Sequence, residues 1–171
     1  MARLNRPTPQ PSRQRVLMVC MGNICRSPTA EAVLRRKLRD AGLEPWVDVD
    51  SAGTHADWHA GEAPHERSQA RARKRGYDLS GLRARRIEPA DFECFDLILA
   101  MDYANLALLE EQCPLAHRHK LGRLSEYARR YADCAVIPDP YGGKHADFEH
   151  VLDLVEDACD HLVEVLRRRV G

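Results

Sequence analysis

Three observations predict an α/β fold with a parallel sheet and helices on both of its faces. Short apolar, β-branched runs alternate along the chain with helical stripes; the first of these runs has no polar face; and no repeat or linker divides the chain. At 171 residues the sequence fits one domain with a substantial core. Residues 1–14, MARLNRPTPQPSRQ, carry three prolines and no periodicity, so they are expected to form a disordered tail outside that fold.

The elements follow in order. RVLMVC (15–20) reads as a central strand buried on both faces. After Ser27-Pro28 the apolar residues Ala30, Val33, Leu34, Leu38 and Ala41 recur at helical spacing. Arg35, Arg36, Lys37 and Arg39 take the remaining face, and Gly42 is the stop. WVDVDSAG (46–53) alternates and reads as a second strand, and PHERSQARARKRG (64–76) as a helix from Pro64 to Gly76. FDLILAM (95–101) is the third strand, residues 103–111 a helix, and HKLGRLSEY (119–127) holds a short fourth strand. Phe148, Val151, Leu152, Val155, Ala158, Leu162 and Val165 trace one stripe of a long C-terminal helix.

Composition excludes several classes of function. Lys plus Arg and Asp plus Glu both number 26, so no overall field recruits nucleic acid or a membrane surface, and no nucleic-acid partner is expected. No apolar run approaches the roughly 20 residues of a bilayer span, so no membrane insertion is expected. The six cysteines (20, 25, 94, 113, 134 and 159) form no CxxC pair, and the N-terminus lacks a signal peptide's apolar core. A cytoplasmic, reducing setting is the expectation.

The segment VCMGNICRSP (19–28) carries the chemistry. In an open parallel sheet, ligands bind beyond the carboxyl ends of the strands, where this loop leaves the first strand. A loop running into a helix N-terminus offers successive backbone N–H groups and the positive end of the helix dipole, which together cradle an anion. Gly22 permits the tight path, Asn23 tolerates left-handed backbone, and Ser27 is placed to cap a helix whose first position is Pro28. A free thiol titrates near about 8.5, and such a cradle beside a guanidinium lowers that value, which makes Cys20 a candidate nucleophile. Arg26 suits two oxygens of one phosphate. Taken singly, Cys20 reads more readily as a small core residue and Arg26 as a solvated side chain; the joint spacing is what selects the chemical reading. No GxxxxGK[ST] occurs, which excludes a Walker A loop. Asp139, fixed between Pro138 and Pro140, is either a stiffly aimed proton donor or an ordinary Asp-Pro turn.

These residues carry a resemblance. VCMGNICRSPTAE resembles the signature of the low-molecular-weight protein tyrosine phosphatases, whose loop is C-x5-R. The likeness continues through DSAGTHADWHAG, FDLILAMD, DPYGG and FEHVLDLVEDA, from about residue 15 to 170. It implies a four-stranded parallel sheet flanked by helices on both faces, a phosphate-binding loop between the first strand and first helix, and a phosphatase domain over 15–171. It also implies two-step hydrolysis of phosphotyrosine and aryl phosphates through a phosphocysteine, without a cofactor. Residue by residue, the resemblance makes Cys20 the nucleophile, Arg26 the transition-state clamp and Asp139 the general acid and later base. Met21, Gly22, Asn23, Ile24 and Cys25 would surround the phosphate, with Ser27 bonded to the thiolate and Asn23 holding the loop in shape. Trp58 and Tyr141 fall where the family places aromatic walls. Asp102 either supports the site or caps the helix that follows. The implied partners are phosphotyrosine-containing proteins, with a tyrosine kinase among the candidates.

The chain departs from the family pattern at two places. A His that commonly supports the loop Asn, in a segment resembling HRARQ, is Leu82 here, in LRARR, which leaves the support of Asn23 open. Gly142 follows Tyr141 where animal members tend to have a second Tyr, which opens the rim. Three rivals are weighed. An arsenate reductase of the same fold needs two further cysteines, but Ala100 stands where the first belongs and Cys113 is poorly placed. A protein arginine phosphatase carries Thr in place of Ile24. A non-catalytic phosphotyrosine-binding module has no use for both Cys20 and Asp139. His55 and His59, and the pair at 117 and 119, suggest a metal, but no Glu or Cys spacing completes a ligand set. Finally, Cys25 shares the curled loop with Cys20, so peroxide is expected to switch activity off reversibly through a Cys20–Cys25 disulfide.

Overall fold

Val16 to Cys20 are all buried, which puts this strand at the centre of the sheet; the computed structural model describes residues 12–171. The elements are β1 (Gln14–Cys20), α1 (Arg26–Asp40), β2 (Val47–Gly53), α2 (Glu66–Lys74), α3 (Pro89–Cys94), β3 (Leu97–Ala100), α4 (Tyr103–Gln112), β4 (Leu121–Arg123) and α5 (His145–Val170). The four strands are parallel in the order β2-β1-β3-β4. The α/β class and the parallel sheet are those the sequence predicts.

Alternation along β1 divides the interior in two. Val16 and Met18 face a core built with α1 and α5, including Val33, Leu34, Val155 and Leu162. Leu17 and Val19 face a second core with Phe92, Phe95, Leu109 and Cys113. One face of the sheet is thus covered by α1 and α5 and the other by α3 and α4. Among the described residues, no helix is long and apolar enough to cross a membrane.

Several boundaries differ from the sequence reading. Helix α1 starts at Arg26, with Cys25 as N-cap residue, so Ser27 and Pro28 lie inside the first turn and Ser27 is not the cap. Pro64 lies outside α2, whose N-cap is His65. Helix α3 was not predicted; it is too short for an apolar stripe and is set by Pro89 in its first turn and by Asp91, whose carboxylate accepts from Glu88 N at 2.7 Å. Of the tail expected over 1–14, residues 1–11 lie outside the described residues. Gln14 already pairs with Val47 in the sheet, Arg13 forms a two-pronged ion pair with Asp48 at 2.7 and 2.6 Å, and Ser12 Oγ donates to Arg169 O.

The strand order reverses between β1 and β3. At that switch point the carboxyl end of β1 releases the loop of residues 21–25, and the end of β3 leads to Asp102.

Candidate active site

The loop is held by its carbonyls. Thr54 N donates to Cys20 O, His55 N to Met21 O, His65 N to Ile24 O and Thr29 N to Cys25 O, at 2.7 to 3.3 Å. The amides of Gly22, Asn23, Ile24 and Cys25 donate to no protein acceptor among the described residues. Carbonyls engaged and amides free is the electrostatics of an anion cradle. The left-handed residue is Asn23, at φ 57°, rather than Gly22. Gly22 instead makes room for the His59 ring, because an added Cβ would stand 3.2 Å from His59 Cδ2. Gly53 is needed for a closer approach still: a Cβ there would lie 2.6 Å from Met21 O and 3.0 Å from Asn23 N.

Asn23 is buried and fully occupied, which settles how it is held in a chain with Leu82 at the variant position. Its Nδ2 donates to Ser27 Oγ at 2.8 Å and Ser51 Oγ at 2.9 Å, and its Oδ1 accepts from Arg85 N at 3.0 Å. Ser51 Oγ in turn donates to the buried Glu31 at 2.6 Å. Leu82 packs against the main core. Ser27 Oγ lies 3.0 Å from Cys20 Sγ, so a hydroxyl fixed by Asn23 is available to donate to the sulfur.

Arg26 is 2% exposed. Its Nη1 donates to Asp102 Oδ2 at 2.6 Å and to Ile137 O at 3.0 Å, and its Nη2 lies 3.8 Å from Asp139 Oδ2. Asp102 does both jobs that its position suggests, since its Oδ1 accepts from Asn105 N at 2.8 Å as the N-cap of α4. Asp139 is about half exposed at its carboxylate and accepts from Tyr141 N at 3.1 Å.

A cleft of about 480 Å³ gathers Cys20, Met21, Gly22, Ile24, Cys25, Arg26, Trp58, Asp139 and Tyr141. Asn23 and Ser27 lie beneath it, bonded to its floor. Trp58 and Tyr141 are 91% and 61% exposed, standing at the rim rather than in the core. His55, Asp57 and His59 also line the cleft, in a role that sequence reading considered only for metal binding by the two histidines. Their segment is a 3-10 turn over Ala56–His59, anchored by the Arg86–Asp57 ion pair at 2.7 Å. Cys25 packs with Ile24, Ala84 and Phe148, and burial, only partly offset by a hydrogen bond with Ser68, pushes its thiol up to about 12.

The family model for low molecular weight phosphotyrosine protein phosphatase matches residues 15–171. A low molecular weight protein-tyrosine-phosphatase of Streptomyces coelicolor is 41% identical over 159 residues, covering 91% of this chain and 95% of its own. YfkJ of Bacillus subtilis, of the same description, is 38% identical over 90% of this chain and 96% of its own. Its crystal structure is similar with a TM-score of 0.86, over 94% of this chain and 98% of that one. A protein tyrosine phosphatase from Entamoeba histolytica, crystallised with Hepes in its active site, is similar with a TM-score of 0.87 at 35% identity, over 91% and 97% of the two chains. With the match running from β1 to the end of α5, the chain belongs to the low molecular weight phosphotyrosine protein phosphatase family.

Proposed function

We propose that this enzyme hydrolyses phosphotyrosine on protein substrates, and aryl phosphates generally, through a phosphocysteine on Cys20. The observation that carries the reading is the convergence of the Cys20 sulfur, the Arg26 guanidinium, the Asp139 carboxylate and a run of free amides on a single cleft. In the first step the Cys20 sulfur attacks phosphorus and the bond to the aryl oxygen breaks. Asp139 gives its proton to the departing phenolate. Arg26 and the loop amides hold the three peripheral oxygens as charge builds on them, with Arg26 aimed by Asp102 and Ile137 O. In the second step Asp139 takes a proton from water, the water oxygen attacks phosphorus, and the S–P bond breaks to release phosphate and the Cys20 thiolate. Ser27 Oγ donates to the sulfur as it leaves. Trp58 and Tyr141 form the rim that grips the aryl group.

A working thiol suits a reducing cytoplasm, and all six cysteines are free. A tyrosine kinase is the class of enzyme that supplies such a substrate, and balanced charge gives no reason to invoke nucleic acid. Turnover of phosphotyrosine, phosphoserine and phosphoarginine peptides with EDTA present tests the reading. Phosphotyrosine should dominate, and Cys20→Ser should bind phosphate with no turnover. Preference for phosphoarginine, binding without turnover in the wild type, or activity of Cys20→Ser above a few per cent would each overturn it.

A further inference from the structure

We propose that His65 is a positioning residue for the aryl wall, and that its imidazole sets how tightly the enzyme grips an aromatic leaving group. The inference rests on the reading of Tyr141 as part of that wall. Three elements meet at this one residue. Its backbone N donates to Ile24 O at 2.7 Å, inside the phosphate loop. Its Nδ1 accepts from Arg67 N at 3.1 Å, capping α2. Its ring stacks on Phe148 of α5, with centroids 5.2 Å apart and planes at 30°, and packs T-shaped with Tyr141 at 5.8 Å and 81°.

The Tyr141 ring is 61% exposed, and His65 is its aromatic neighbour among the described residues. The bond from Tyr141 N to Asp139 fixes only the backbone. The remaining freedom of the ring is rotation about its side-chain bonds, which the imidazole packed against it limits. Phe148 gives the imidazole a rigid base, since it packs with Ile24, Cys25 and Ala84 beneath the loop. The cap fixes the imidazole's chemistry as well: an Nδ1 that accepts from an amide keeps its lone pair, so the ring is neutral with its proton on Nε2. Burial and the neighbouring Arg67 hold the imidazole below its ordinary value, against the opposing Glu66, which agrees with that neutral form. The loop that grips phosphate and the ring that grips the aryl group are therefore held in register through a single residue.

Two substitutions separate the ring from the cap. His65→Asn keeps an acceptor for Arg67 N and removes the ring, whereas His65→Phe keeps a ring and removes the acceptor. With p-nitrophenyl phosphate, His65→Asn should raise KM by about 3- to 10-fold, the usual worth of an aromatic pair, with kcat within about twofold. The inhibition constant of inorganic phosphate should stay within about twofold, because phosphate touches the cradle and not the wall. His65→Phe should keep a KM close to wild type. A wild-type KM in His65→Asn would overturn the proposal, as would a phosphate inhibition constant rising in step with KM, since either outcome makes His65 purely a brace of the loop. Failure of the wild type to turn over aryl phosphates would instead refute the reading of the enzyme itself.

Discussion

Replacing Asp102 by Asn tests whether the Arg26 guanidinium, the proposed clamp, is aimed by its ion pair. Arg26 presents a side chain only 3% exposed, and its Nη1 is divided between Asp102 Oδ2 at 2.6 Å and Ile137 O at 3.0 Å. Breaking a buried pair by removing one partner costs about 3 to 5 kcal/mol. The Asp102 carboxylate is 26% exposed, so water relieves part of the strain and the lower end, about 3 kcal/mol, applies. Asparagine caps helices as well as aspartate does, so the α4 cap at Asn105 N survives and adds almost nothing to that figure. Asp102→Ala loses the cap as well and should cost about 1 kcal/mol more. Catalysis should suffer beyond stability, because a catalytic group displaced by about 1 Å loses roughly 10²-fold in rate. Urea unfolding and kcat on p-nitrophenyl phosphate read the two effects separately. If Asp102→Asn cost under about 1 kcal/mol and left kcat within about twofold, Ile137 O alone would be aiming Arg26, and the role given to the ion pair would be wrong.

Asp139→Asn should slow hydrolysis by about 10² to 10⁴-fold, with a smaller loss for aryl leaving groups of low pKa; a penalty independent of leaving group would make Asp139 structural. Asp157 should govern part of the acid stability. Burial alone would raise its carboxyl, but the amides of Arg129, Arg130 and Tyr131, at 3.0, 3.2 and 3.0 Å, together hold it below its ordinary value. A depressed carboxylate contributes stability that is complete above its unfolded value near about 3.9 and is lost as pH falls through the folded value. Urea stability of the wild type should therefore fall more steeply from pH 5 toward pH 2 than that of Asp157→Asn, and parallel profiles would contradict the assignment. Mild peroxide should produce a Cys20–Cys25 disulfide visible by mass spectrometry and reversed by thiol. Because Cys25 is pushed up to about 12, it should resist direct alkylation near neutral pH; recovery of Cys25→Ser as full as that of the wild type would show that Cys25 does not protect Cys20.

The sequence exposed this molecule unevenly, for physical reasons. The buried run Val16–Cys20 and the α5 stripe announced themselves through period, because every residue of each faces a core or alternates with solvent in a regular way. The C-x5-R spacing was legible because the proposed chemistry is local: the Cys20 sulfur, the free amides and the Arg26 guanidinium fall within residues 20–26. The support of Asn23 was not legible, because Ser51 and Arg85 reach it from 28 and 62 residues away and one of them uses only its backbone. His65 was hidden for the same reason. Its position in PHERSQ reads as helix, and nothing in the string says that its ring turns back to Tyr141, 76 residues later. Asp57, His55 and His59 reach the cleft through a turn of 3-10 helix, which has no amphipathic signature of its own.

The segment that delivers Asp139 is pinned along its length. Asp157 gathers the amides of residues 129–131, Ser125 Oγ donates to Ala135 O at 2.6 Å, Ile137 N donates to Met101 O at 2.8 Å, and Ile137 O receives Arg26. With Asp139 as the proton donor, acid and clamp share an anchor two residues away. Swinging the acid outward would take Ile137 from the guanidinium and from the end of β3. That anchoring predicts an acid already in place when substrate arrives, rather than closure on the microsecond-to-millisecond scale, which sets turnover in many enzymes. Turnover should be limited by chemistry on phosphorus rather than by motion of the polypeptide, and added viscogen should leave kcat unchanged.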